Sequence, residues 1–369
     1  MSPEELVEGV LAGEHRALAR AITTIENRAE GYRELVSALH AHAGSADVIG
    51  ITGSPGAGKS TLVDKMAAAY RDRGLTVGVI AIDPSSPYSG GAVLGDRIRM
   101  GSNVGDMDVF FRSMSARGSL GGLSAATSDA VTALDAFGKD KVIIETVGAG
   151  QNEIDIVRTA DSVAVLVPPG SGDDVQMLKA GILEIADLFV VNKADLDGAN
   201  RTVQELRELV EYQEGGVPSD VGHHGATAET VEGLGPGPGD TEGGEDEGED
   251  DEGWTPPIIE TVANRGEGVA DVLEALADHR THLAESGEGE AQSRTRYAEE
   301  VRTLLREDLN DMLAAEVDRR GGLDAYVDDV VAGETDPYSV ADELLEPIAE
   351  CIEGADRGEA ARQGPAAED

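Results

Sequence analysis

Gly53-Ser54-Pro55-Gly56-Ala57-Gly58-Lys59-Ser60-Thr61 decides how this chain folds. The apolar run Asp47-Val48-Ile49-Gly50-Ile51-Thr52 precedes it, and the helical pattern Leu62-Val63-Asp64-Lys65-Met66-Ala67 follows. Strand, glycine loop, then helix is the context in which G-x-x-x-x-G-K-[ST] becomes a phosphate-binding loop. Gly53 and Gly58 let the backbone bend so that successive N–H groups face phosphate oxygens. The helix N-terminus adds its partial positive charge. Lys59 is then expected to reach the β- and γ-phosphates and the Ser60 hydroxyl to ligate Mg²⁺. The plainer reading is a glycine-rich turn in a chain with 47 glycines. The flanking strand and helix argue against it.

Outward from this loop, strand and helix patterns alternate from residue 46 to 284. Strand-like runs are 47–52, 76–82, 108–111, 142–144, 162–167, 188–191 and 257–261. Several are continuously apolar, as expected of strands covered by helices on both faces. The pattern predicts an α/β fold, a doubly wound, mostly parallel sheet, with ligands at the carboxyl ends of its strands.

Flanking segments read differently. Residues 1–45 form a helical extension, with Leu6, Val7, Val10, Leu11, Leu18, Ile22 and Ile25 as one apolar stripe. Residues 214–254 are an acidic insertion without a single Lys or Arg, read as disordered. His223-His224 within it reads as a linker pair rather than a metal site. Residues 285–356 are helical again, and Val301, Leu304, Leu305, Leu309, Met312, Leu313 and Val317 form a stripe. Packing on the core and dimerisation account for that stripe equally well. Residues 357–369 read as a tail.

The formal net charge is −43, with lysine only at positions 59, 65, 139, 141, 179 and 193. Such a surface argues against nucleic acid or an anionic membrane as partner. Acid spread over the whole chain fits a cytoplasm rich in salt, where screening limits self-repulsion. The single cysteine, Cys351, excludes an internal disulfide and a cysteine-based metal site within one chain. The N-terminus lacks a basic region followed by an apolar core, and no run approaches a membrane span in length. The expected setting is soluble and cytoplasmic.

Asn192-Lys193-Ala194-Asp195 follows the strand 188–191. Guanine presents N1–H and the 2-amino group, and the Asp195 carboxylate can accept from both; adenine lacks that pair of donors. GTP is therefore expected over ATP. Glu145-Thr146-Val147-Gly148 follows another strand; Glu145 can hold the Mg²⁺ shell, and the Gly148 N–H can meet the γ-phosphate. Asp83, at the end of the strand 76–82, and Asp96 add carboxylates near the expected phosphates. Gln151 can orient the attacking water. Arg97, Arg99 and Arg112 are open choices for a charge-stabilising residue.

These stretches carry a family resemblance. Gly53–Thr61, Asp83-Pro84-Ser85-Ser86-Pro87, Gly90–Met100, Phe111–Gly118, Glu145–Gln151, Gly170–Lys179 and Asn192–Asp195 together resemble the MeaB/ArgK family of P-loop GTPases. The resemblance spans about residues 5–350, interrupted by the acidic insertion. It implies a GTPase that chaperones an adenosylcobalamin-dependent acyl-CoA mutase, typically methylmalonyl-CoA mutase, gating cofactor loading and protecting the enzyme. It also implies homodimerisation through the C-terminal helices. Switch behaviour is implied near Asp83–Arg99 and Glu145–Glu153, and a third loop around Gly172–Lys179 would signal to the mutase. The family also carries an older label as a lysine/arginine/ornithine transport ATPase or kinase. One departure touches the site. The guanine-side loop reads Thr261-Val262-Ala263-Asn264, where a serine before the alanine is usual; Ala263 is expected to offer its N–H to guanine O6.

Three other functions compete. A metallochaperone GTPase needs a Cys/His cluster, which Cys351 and His223-His224 do not make. A transport-linked kinase needs a protein acceptor site, and nothing marks one. A scaffold that only binds nucleotide would release no phosphate.

Overall fold

The computed structural model describes residues 1–83, 106–115, 122–146, 159–170, 185–214 and 253–346. Seven strands form one sheet: β1 (Asp47–Gly53), β2 (Val77–Asp83), β3 (Val109–Ser115), β4 (Lys141–Glu145), β5 (Ser162–Val167), β6 (Leu188–Asn192) and β7 (Ile258–Thr261). Their order is β3-β2-β4-β1-β5-β6-β7, and every pairing is parallel. The sheet is thus wholly parallel among the described residues, and the seven expected runs are its seven strands.

Side chains alternate across the sheet, and each face feeds its own core. Val48, Val142, Ile144, Val163, Val165, Phe189 and Val191 face one side. They meet α1 (Pro3–Leu11), α2 (His15–Glu26), α3 (Tyr32–His40), α5 (Gly122–Ala136) and α6 (Ala199–Glu214). Ile49, Ile51, Val79, Ile143, Ala164, Leu166 and Val190 face the other, against α4 (Lys59–Asp72) and α7 (Val269–Ser286). Both faces are covered, which is why the strands read as unbroken apolar runs.

The N-terminal helices belong to this core. A capping box starts α1: the Ser2 hydroxyl accepts from the Glu5 N–H at 3.2 Å, and Glu5 accepts from the Ser2 N–H at 2.9 Å. Leu6, Val10, Leu18, Ile22 and Ile25 are buried as the stripe requires. Leu11 is not; it ends α1 and stands 41% exposed, because the helix stops there and the chain turns before α2. Asp135 on α5 then fastens the approach to β1, accepting from the Gly44, Ser45 and Ala46 amides at 2.6, 3.2 and 3.0 Å.

The chain divides into two compact units, Met1–Arg296 and Tyr297–Asp369. The division falls within α8 (Glu288–Arg319), between residues 296 and 297, whereas the sequence reading places its boundary at 285. α8 buries none of its residues, nor does α9 (Asp324–Ala332). Val301, Leu305, Leu309 and Met312 are all more than half exposed, whereas Leu304, Leu313 and Val317 of the same stripe are half-buried. Most of the insertion, with His223-His224, and Cys351 lie outside the described residues.

Candidate nucleotide site

The carboxyl ends of β1, β2, β4, β6 and β7 bring the sequence motifs to one edge of the sheet. The loop Ser54–Gly58 connects β1 to α4, whose first residue is Lys59. Gly53 has φ 131°, and a Cβ there would stand 2.1 Å from the Leu166 carbonyl oxygen on neighbouring β5. Gly58 has φ 101°, and its Cβ would meet Asn192 Nδ2 at 2.3 Å. Both glycines are therefore fixed by space as well as by backbone angle. The second contact also sets the distance between the phosphate loop and the Asn192 motif.

Lys59 is buried and lies across its own loop. Nζ donates to the carbonyls of Gly53 at 2.6 Å and Ser54 at 3.1 Å. These neutral acceptors hold the ammonium where anionic phosphate oxygens would make stronger, charge-assisted bonds. The Ser60 hydroxyl donates to Glu145 Oε1 at 2.5 Å, across from the end of β4. Behind Glu145, the Thr146 N–H donates to the Ile51 carbonyl at 3.0 Å, and its hydroxyl donates to Thr52 Oγ1 at 2.9 Å. A hydroxyl and a carboxylate, both hard oxygen donors, converge beside the phosphate loop, which fits Mg²⁺. Asp83 ends β2 in register with Ser115 on β3.

Asn192 ties three segments together. Its Nδ2 donates to the Ala57 carbonyl at 2.7 Å. Its Oδ1 accepts from the Thr261 hydroxyl at 3.0 Å and the Ala263 N–H at 3.1 Å. The Ala263 amide, expected to meet guanine O6, is directed here at Asn192. Lys193 takes a left-handed backbone, φ 64°, and its Nζ donates to the Gly56 carbonyl at 2.7 Å. Such strain in a non-glycine residue collects at functional sites. The Asp195 carboxylate stands 3.2 Å from the Arg265 guanidinium.

Lys59, Ser60 and Glu145 are thus brought together with the loop Gly53–Thr61, and Asn192, Lys193 and Ala263 close against it. Arg112 is not available to such a site: its Nη2 donates to Glu26 at 2.6 Å and to Thr23 at 3.2 Å on α2. Asp96, Arg97, Arg99, Gly148, Gln151 and the loop Gly172–Lys179 lie outside the described residues. Arg265 lies outside the motifs read from the sequence, and Thr261, part of the guanine-side loop, has no role of its own in them. The run of sequence without Lys or Arg from 208 to 264 was the available signal for Arg265, the first base after it.

A parallel sheet with a strand–glycine loop–helix unit near its middle, and a lysine folded into that loop, defines a P-loop nucleotide hydrolase. Comparison with known proteins narrows the class. The profile described as methylmalonyl Co-A mutase-associated GTPase MeaB matches residues 18–318. A protein of Pyrococcus abyssi that carries a GTPase name is 43% identical over 94% of this chain and 96% of its own. The GTPase ArgK of Escherichia coli is 40% identical over 52% of this chain and 60% of its own. The mouse methylmalonic aciduria type A homolog is 29% identical over 93% of this chain and 78% of its own. In fold, the crystal structure of an LAO/AO transport system kinase covers 94% of this chain and 97% of its own, with a TM-score of 0.63 and 24% identity. The chain belongs to the MeaB family of P-loop GTPases.

Proposed function

We propose that this GTPase acts as a chaperone of an adenosylcobalamin-dependent acyl-CoA mutase, methylmalonyl-CoA mutase in the first instance, gating cofactor loading and protecting the loaded enzyme. The observation that carries the reading is the family match across residues 18–318, whose description names association with that mutase. The name of the mouse relative, which refers to methylmalonic aciduria, supports the same substrate field.

At the site, GTP would lie along the carboxyl edge of the sheet with its β- and γ-phosphates in the loop Gly53–Thr61. Lys59 would exchange its two carbonyl partners for phosphate oxygens and stabilise charge that develops there. Ser60 and Glu145, with Asp83 from β2, would hold Mg²⁺. When bound, the ion would neutralise phosphate charge. Asn192 would keep the base loop against the phosphate loop, and Asp195 would accept from guanine. Asp96, Gly148 and Gln151 would complete the site from the two switch loops. Hydrolysis by the chain alone is then slow, and the partner accelerates it.

The exposed stripe Val301, Leu305, Leu309 and Met312 on α8, with Val327 and Val331 on α9, supports a homodimer. Apolar faces of this kind are rarely left open to water. Light scattering then gives twice the mass of one chain.

The deciding experiment measures GTP hydrolysis in multimolar KCl with and without methylmalonyl-CoA mutase subunits from the same organism. Acceleration by the mutase, absent with ATP, supports the chaperone reading. A rate indifferent to the mutase overturns it and leaves the GTPase standing. Transport-linked phosphorylation would instead show label moving from GTP to a binding protein.

A further inference from the structure

We propose that Arg265 is a positioning residue for base recognition: it fixes the plane of the Asp195 carboxylate so that both oxygens are presented to guanine. The inference rests on the reading of Asp195 as the guanine acceptor and adds a residue that the phosphate-loop and N-K-x-D motifs do not contain.

The pair joins two loops already tied together. Ala194 N–H donates to the Thr261 carbonyl at 3.0 Å, and Ala263 N–H donates to Asn192. The segment carrying Arg265 is a closed turn: Ala263–Arg265 form one turn of 3₁₀ helix, and Val262 N–H donates to the Glu267 carbonyl at 3.0 Å. Both backbones are set before the side chains meet, so little backbone entropy opposes the contact. Arg265 Nη2 lies 3.2 Å from Asp195 Oδ2, and Nη1 lies 4.0 Å from Glu267 Oε1 on its other side. The guanidinium is held between two carboxylates of the same loop system.

The terminal torsion of an aspartate is broad, so a part-exposed carboxylate samples many planes. Asp195 is such a group, its side chain 32% exposed. Guanine recognition needs one plane, because N1–H and the 2-amino group are parallel donors that require both oxygens at once. A carboxylate offers about four lone-pair sites. The Arg265 guanidinium lies 3.2 Å from Oδ2 as an ion pair, which biases the carboxylate's orientation and leaves Oδ1 wholly free for the base. An inosine nucleotide has N1–H and no 2-amino group, and a single bond tolerates rotation of the acceptor. Arg265 therefore matters more for guanine than for hypoxanthine. The effect is modest, since exposed ion pairs contribute little and salt screens them.

The test is competition binding of GDP, IDP and ADP to the full chain, in KCl at which circular dichroism shows each variant folded. Arg265→Ala is expected to weaken GDP about two- to fivefold and IDP less, which narrows the GDP/IDP ratio. Arg265→Lys recovers part of the GDP affinity. In an Asp195→Ala background, Arg265→Ala has no further effect on the ratio. Equal loss for GDP and IDP would overturn the inference, as would an unchanged ratio in a chain that still prefers GDP to ADP. A wild-type chain indifferent between GDP and ADP would remove the guanine reading itself, and the inference with it.

Discussion

The two ends of the sheet use the same strands for opposite purposes. At the carboxyl ends, polar groups are held by bonds that a ligand can replace: Lys59 on loop carbonyls and Ser60 on Glu145. At the amino ends, polar groups are tied into the fold. Asp187 accepts from the Val163 N–H at 2.7 Å, and Trp254 Nε1 donates to the Asp187 carbonyl at 2.8 Å. His279 bonds Ser162 at 2.8 Å, stands 3.4 Å from Asp187, and carries the Trp254 ring at 4.8 Å. Serine, histidine and aspartate meet there, yet Ser162 is 1% exposed and no substrate reaches it. The difference teaches that a polar cluster becomes a binding site when its partners can be exchanged, and a brace when they are buried with it.

Replacement of Lys59 should separate the ends most sharply. Lys59→Ala is expected to lower kcat for GTP by about 10²–10³-fold, the usual cost of losing a preorganised charge-stabilising donor. Its stability should fall modestly, by about 1–3 kcal/mol, because the Gly53 carbonyl is buried and loses a partner. Hydrolysis and urea unfolding on the same preparation check both halves; retained hydrolysis would break the comparison. Asn192→Ala comes next. Three buried bonds vanish together, and about 2–4 kcal/mol of stability should go with them, along with nucleotide affinity. Trp254→Ala makes the contrast at the other end: about 2 kcal/mol of stability lost, with KM for GTP unchanged.

A smaller effect comes from pH. Burial raises the Asp187 pKa to about 7, against the Val163 N–H bond that lowers it. Burial lowers the His279 pKa to about 4, helped by His282. Both groups thus favour their neutral forms in the fold. The raised Asp187 value gives stability that is complete at about pH 4 and lost as pH rises towards 7. The depressed His279 value gives stability that is complete above about pH 6.5 and lost as pH falls towards 4. The two slopes oppose each other between those limits. Asp187→Asn removes the first, so its stability relative to wild type should climb with pH from about 4 to 7, by about 1 kcal/mol per unit. His279→Gln should drift the other way. Urea midpoints measured across that range decide it, and a variant parallel to wild type would mean that the braced end does not hold Asp187 neutral.

The strands were legible because each is a run of aliphatic residues buried on both faces, and the phosphate loop because its glycines answer to fixed local geometry. Lys59 was legible through its motif; the buried Lys139 and the Lys141–Asp47 pair at the amino ends of β4 and β1 were not. Contacts between distant segments were not legible. Ser162 meets His279 across 117 residues and Arg112 meets Glu26 across 86, and no local pattern announces either. Sequence therefore leaves Arg112 open between a charge-stabilising role and a salt bridge, and the pair with Glu26 is the salt bridge. The acceptor of the Ala263 N–H is Asn192, which only the folded sheet brings within reach.

The most direct test of the account is base selectivity in nucleotide competition, wild type beside Asp195→Asn. Guanine nucleotides should displace a bound fluorescent GDP and adenine nucleotides should not. Xanthine has a carbonyl where guanine has its 2-amino group, and the Asp195→Asn variant offers an amide donor there. That substitution should therefore weaken GDP by at least about tenfold and admit XDP. Equal competition by ADP in wild type, or unaltered GDP affinity in the variant, would contradict the assignment of the carboxyl edge as a guanine site.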